Sequence, residues 1–172
     1  MKEILIAGIG NIFLGDDAFG CEVVSELSRR ELPPEVRVVD FGIRGYDLAF
    51  ALTEGCEMAI LVDAMPRGGL PGTVYLVEPD LQEIEKLAPT APDAHSLNPV
   101  SVLQLTKSIG GFTGKLLLAG CEPLVLGEGD GEMGLSKPVR EAVPQAVAMI
   151  ESLLRDSLDL TATTTDAGHV PV

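Results

Sequence analysis

The sequence predicts an α/β fold in which helices cover both sides of a mainly parallel sheet. Strand-like and helix-like segments alternate along the chain, the pattern of repeated strand–helix–strand units. Several strand segments are apolar throughout, as strands buried on both faces are. The first of them, Ile4 to Ile9, runs into Gly8 and Gly10, the composition of a buried strand feeding a tight turn. Right-handed crossovers in such a fold collect the carboxyl ends of the strands along one edge, where sites form.

Taken in order, the first strand is followed by a helix over 17–30, with Phe19, Val23, Val24 and Leu27 on one face. Pro33-Pro34 stops it, and Val36 to Asp40 reads as the second strand. Gly42 and Gly45 break the chain before a short helix, Tyr46 to Glu54. Met58 to Val62 is a third apolar run, ending in Asp63. Pro66 to Gly72 is a turn that leads to a shorter, partly alternating strand, Thr73 to Val77. Asp80 to Leu87 can form a helical turn or two, and Pro89 and Pro92 turn the next stretch into a loop. A helix over 97–109 carries Pro99 in its first turn, and Lys115 to Cys121 is the last buried strand. Gly127, Gly129, Gly131 and Gly134, interleaved with acids, spell an exposed loop. Ser136 then caps a long helix over 136–156, apolar at Val139, Val143, Val147, Ile150 and Leu154, which Pro144 should kink. The reading is one domain over 1–158 and a flexible, unpatterned tail over 159–172.

A chain of 172 residues with 46% apolar content can bury a full core, so disorder is excluded for its bulk. Twelve basic against twenty-six acidic residues give a net charge of −14. That field repels nucleic acid and anionic lipid and favours a basic or metal-bearing partner. No signal peptide or membrane span is expected, and Cys21, Cys56 and Cys121, odd in number and far apart, form no C-x-x-C. Reduced thiols in a cytoplasmic monomer are the expectation.

The first loop argues against a dinucleotide. The position for the third glycine of G-x-G-x-x-G is Phe13, and Asp16 and Asp17 lie where a phosphate would meet a helix. A Rossmann-type nucleotide-binding protein is therefore the weaker rival. Asp17 after the first strand, Asp40 at the end of the second and Asp63 at the end of the third all fall on one rim. His95, beside Asp93 in the proline-bounded loop, reaches that rim if the loop folds back. Two carboxylates and an imidazole suit a borderline divalent metal with open positions. Each aspartate alone could equally cap a turn, and His169 in the tail has no motif around it.

Gly8-Ile9-Gly10-Asn11 with Leu14-Gly15-Asp16-Asp17-Ala18-Phe19-Gly20, then Leu61-Val62-Asp63-Ala64, Pro71-Gly72-Thr73 and Ala94-His95-Ser96-Leu97, resembles the hydrogenase maturation endopeptidases, in order over nearly the whole chain. The resemblance implies a three-layer α/β/α sandwich around a mainly parallel twisted sheet of about five strands. It implies an endopeptidase that trims the carboxy-terminal extension of the nickel–iron hydrogenase large-subunit precursor after nickel insertion. Carried over by motif, the metal-contacting and catalytic residues are Asp17, Asp63 and His95, with Asp40 in support. Nickel is then carried by the substrate, and no organic cofactor is implied. Two departures stand out. The first acid, often glutamate in the family, is here the shorter Asp17. The stretch that commonly resembles D-G-G-T-x-G is Asp40-Phe41-Gly42-Ile43-Arg44-Gly45, which marks Phe41, Ile43 and Arg44 as candidates for precursor choice.

Neither H-E-x-x-H nor a serine–histidine or cysteine–histidine pair is apparent, so a self-contained protease fits poorly. The rival of another class is a non-catalytic, metal-sensing maturation chaperone that binds the same precursor without cutting it.

Overall fold

A computed structural model of the chain describes residues 3–86, 98–127 and 133–165. Among these, five strands form one sheet: β1 (Ile4–Ile9), β2 (Val36–Gly42), β3 (Met58–Ala64), β4 (Val74–Val77) and β5 (Lys115–Cys121), in the order β2-β1-β3-β5-β4. β1, β2, β3 and β5 are parallel, whereas β4 runs antiparallel to β5 at the edge. Chain length explains the exception. Only Met65 to Thr73 separate β3 from β4, and a parallel crossover needs a dozen residues or more. The chain therefore turns back and pairs beyond β5.

The helices are α1 (Phe19–Leu27), entered through a 3-10 turn at Asp16–Ala18, then α2 (Gly45–Thr53), α3 (Leu81–Lys86), α4 (Pro99–Ile109) and α5 (Lys137–Thr165). Val23, Val24 and Leu27 of α1 and Val139, Val143, Val147 and Ile150 of α5 bury one face of the sheet with Ile4, Ile6, Ile60 and Leu117. Leu48 and Leu52 of α2 and Val102 and Leu103 of α4 bury the other with Leu5, Ala7, Leu61 and Leu118. The result is the three-layer sandwich. β1 and β3 are buried at every position, which is why their sequences show no alternation. β2 is an edge strand, where Arg37 pairs with Glu3 at 2.7 Å, a charged guard against pairing with a second sheet.

Local chemistry sets the helix ends. Asn98 Oδ1 accepts from Ser101 N at 2.9 Å, and the serine side chain faces back to the cap, with Pro99 in the first turn. α1 is shorter than the expected 17–30, because a 3-10 turn precedes it and turns replace helix from Ser28. α5 runs through Pro144 and on to Thr165, past the expected helix end at 156 and domain boundary at 158. No glycine or proline occurs between Pro144 and Gly168, so nothing local stops it. Ser136 precedes α5 as expected, but its hydroxyl is committed elsewhere: it donates to Asp16 Oδ2 at 2.9 Å. The rest of the tail, with His169, and the segment with His95 lie outside the described residues. Of the acid–glycine loop, residues 128–132 lie outside them too.

Candidate functional site

The carboxyl ends of β2, β1 and β3 stand side by side, because Gly8 of β1 is in register with Asp40 on one flank and Val62 on the other. Two glycines let the first loop fold tightly onto that rim. A Cβ on Gly20 would lie 2.1 Å from the Val62 carbonyl oxygen and 2.3 Å from that of Ile9, so α1 starts wedged between β1 and β3. Gly10 has φ +138, and a Cβ there would sit 1.7 Å from the Asp17 carbonyl oxygen. Only a glycine pair allows Asp17 to return across the end of β1.

Asp17 is thereby placed within electrostatic reach of Asp63. Asp17 Oδ2 accepts from Asn11 N at 2.7 Å. Burial raises its pKa, and that one hydrogen bond opposes the rise. Asp63 is 4% exposed, and its Oδ1 has no hydrogen-bond partner among the described residues. Burial, first, and the negative Asp17, second, push its pKa well above the ordinary carboxylate value, against the backbone N–H of Ala64. A desolvated carboxylate with free lone pairs beside a second carboxylate is an arrangement a cation relieves.

Asp40 is exposed at the neighbouring strand end. Its carboxylate touches the field of the pair through Cys21, whose thiol donates to the Gly10 carbonyl oxygen at 3.4 Å. The Cys21 pKa is pushed up to about 12 by burial, then by Asp40, with smaller contributions from Asp17 and Asp63. Among the described residues, no three His, Cys, Asp or Glu side chains are grouped closely enough to hold a metal by themselves. Asp17 thus lies within the field of Asp63, Asp40 within that of the neighbouring Cys21, and His95 lies outside the described residues.

Two functional-looking acids have other work. Asp16 is fully buried, and its carboxylate accepts from Leu124 N and Val125 N at 2.8 Å each, Ser136 N at 2.7 Å and Ser136 Oγ at 2.9 Å. Glu122, 6% exposed, accepts from Arg67 N at 2.7 Å and Gly68 N at 3.2 Å. Asp16 ties the segment after β5 to the first loop, and Glu122 ties down the loop after β3. Sequence reading missed both as clamps. The only hint was that tandem acids at 16 and 17 cannot both face outward from one tight turn.

The departures after β2 divide in the same way. Phe41 is buried in the core against α2, so it is a packing residue and no surface contact. Arg44 is turned onto its own backbone, donating to the Asp40 and Phe41 carbonyl oxygens. Ile43, 51% exposed, is the one apolar side chain of the three left facing outward.

The fold that results, a mainly parallel five-stranded sheet between two helix layers with acids at its carboxyl rim, is that of an α/β/α protein. The chain belongs to the HycI hydrogenase maturation protease family, whose model matches residues 21–153. It is 36% identical over 155 residues to the coenzyme F420 hydrogenase subunit delta of Methanothermobacter thermautotrophicus, covering 86% of this chain and 92% of that one. Its structure is similar to that of the hydrogenase maturating endopeptidase HybD of Escherichia coli, with a TM-score of 0.72 at 27% identity, over 91% of this chain and 94% of that one. A hydrogenase 2 maturation peptidase of a Thaumarchaeota archaeon gives a TM-score of 0.67 at 32% identity, over 89% and 98%. Among the described residues, no helix is long and apolar enough to cross a membrane.

Proposed function

We propose that this chain removes the carboxy-terminal extension of a nickel–iron hydrogenase large-subunit precursor once nickel is in place. In this reading Asp17, Asp63 and His95 bind the nickel that the precursor itself carries. The observation behind it is the buried Asp63 Oδ1, which has no hydrogen-bond partner among the described residues, in the field of the half-buried Asp17. His95 stands three residues before the Asn98 cap of α4. A helix that leads into a parallel strand starts on the carboxyl side of the sheet, which favours His95 at the same rim.

Docking on the cargo metal makes cleavage conditional on insertion and positions the scissile bond. The metal, or a water it polarises, then activates the peptide carbonyl. Mass spectrometry of nickel-loaded precursor tests the reading. The wild-type chain should shorten it and leave nickel-free precursor whole, and His95→Ala should abolish the shortening. Equal cutting of nickel-free precursor removes the checkpoint. Binding with no change in mass turns the reading into the chaperone alternative.

A further inference from the structure

Five apolar side chains stand exposed on and against the loop that carries Asp17: Ile12 at 48%, Phe13 at 58%, Leu124 at 56%, Val125 at 47% and Leu126 at 41%. They come from two segments that the fold holds together. Gly15 and Leu126 form an antiparallel bridge, and Asp16 N donates to the Val125 carbonyl oxygen at 3.1 Å. The buried Asp16 carboxylate then locks Leu124 and Val125 from their backbone N–H groups. On the other side, Phe13 N donates to Asn11 Oδ1 at 3.0 Å, and Asn11 N donates to Asp17. The ledge is thus continuous with the acid pair, one residue removed from Asp17.

We propose that this ledge receives the apolar side chains of the precursor segment flanking the scissile bond. The inference rests on the endopeptidase reading above and adds where the peptide lies. Backbone held rigid by a buried carboxylate loses little freedom on docking, so exposed apolar area there converts efficiently into affinity. Charge selects the occupant. No Lys or Arg occurs in residues 3–28 or 116–136, which supply both segments, whereas Asp17, Glu22 and Glu26, none of them buried, lie within the first. An anionic membrane surface is repelled by such a patch, and an apolar peptide, neutral or basic, is not.

The test uses the full chain and its host's large-subunit precursor. A Phe13→Ser, Leu124→Ser double variant is compared with wild type by KM and kcat on nickel-loaded precursor, and by Kd for nickel-free precursor. KM and Kd should rise by about tenfold or more, from the loss of two apolar contacts, with kcat nearly unchanged. A Phe13→Leu, Leu124→Met variant should restore both. Unchanged KM and Kd, or a fall in kcat alone, overturns the ledge while the endopeptidase reading stands. A wild type that binds without cutting sinks the endopeptidase reading, and the Kd comparison still decides the ledge. Wild-type binding to phosphatidylserine vesicles in preference to precursor overturns the ledge proposal.

Discussion

Asp16 and Asp63 are both buried aspartates on the same rim, and they are built to opposite specifications. Asp16, fully buried, accepts from four donors, two on Leu124 and Val125 and two on Ser136. Asp63, at 4% exposure, keeps one oxygen with no donor among the described residues and feels the negative Asp17. Burial alone therefore says nothing about an acid's role. The number of donors does. A carboxylate that accepts several backbone N–H bonds repays its desolvation and stabilises the fold. One left without them is a standing cost that the fold tolerates only where a ligand or a proton relieves it.

The largest expected effect separates the two by activity. Asp63→Asn keeps the shape but removes the charge, and processing of nickel-loaded precursor should fall by at least ~10²–10³-fold, the scale of losing one electrostatic group at a reacting centre. Its melting temperature should hold or rise, because an uncharged amide no longer opposes burial. A variant that both melts early and cuts poorly would make Asp63 a structural residue like Asp16.

The mirror experiment is Asp16→Ala. It strands Leu124 N, Val125 N and Ser136 N, and the loss of charge-assisted bonds should cost about 3–5 kcal/mol of stability. For a domain of this size the melting temperature should drop on the order of 10 °C. Calorimetry showing no change would mean water replaces the clamp and the contrast between the acids is false.

These two acids also mark where sequence reading stops. The strand runs were legible because β1, β3 and β5 are buried on both faces and read as unbroken apolar segments; β5 has the expected bounds, Lys115–Cys121. The placement of Asp40 and Asp63 toward the carboxyl ends of β2 and β3 followed from the strand runs. The antiparallel β4 was not legible, because its direction is set by the length of a loop and not by its composition. The roles of Asp16 and Glu122 depend on donors from segments 108 and 109 residues away for the one and 55 and 54 for the other. No local pattern encodes them. α5 outruns the expected end because the residues from 157 to its last, Thr165, include neither glycine nor proline, and their polarity alone does not stop a helix.

A pH titration sharpens the contrast at smaller amplitude. With the Asp63 pKa raised in the folded state, the native protein binds more protons than the unfolded chain above pH ~3.9. The contribution of Asp63 to stability is therefore full below that pH and lost as pH rises through its folded value. Urea unfolding from acidic to neutral pH should show wild type losing stability relative to Asp63→Asn as pH rises. A constant difference between the two proteins would mean that Asp63 is not held in a raised state.

The smallest effect is read from Cys21, a bystander inside the same field. Its thiol is 4% exposed and raised to about 12, with burial the first cause and the three aspartates behind it. At pH 8 only about one thiol in ten thousand would be ionised, and the thiolate is the nucleophile. Iodoacetamide should leave Cys21 unlabelled in the folded protein and modify it in urea. Since burial outranks the acids, Asp63→Asn should shift that protection only slightly. Rapid native labelling of Cys21 in the variant but not in wild type would reverse the order, making the acid pair, and not the packing of α1 on the strand ends, the dominant force at this rim.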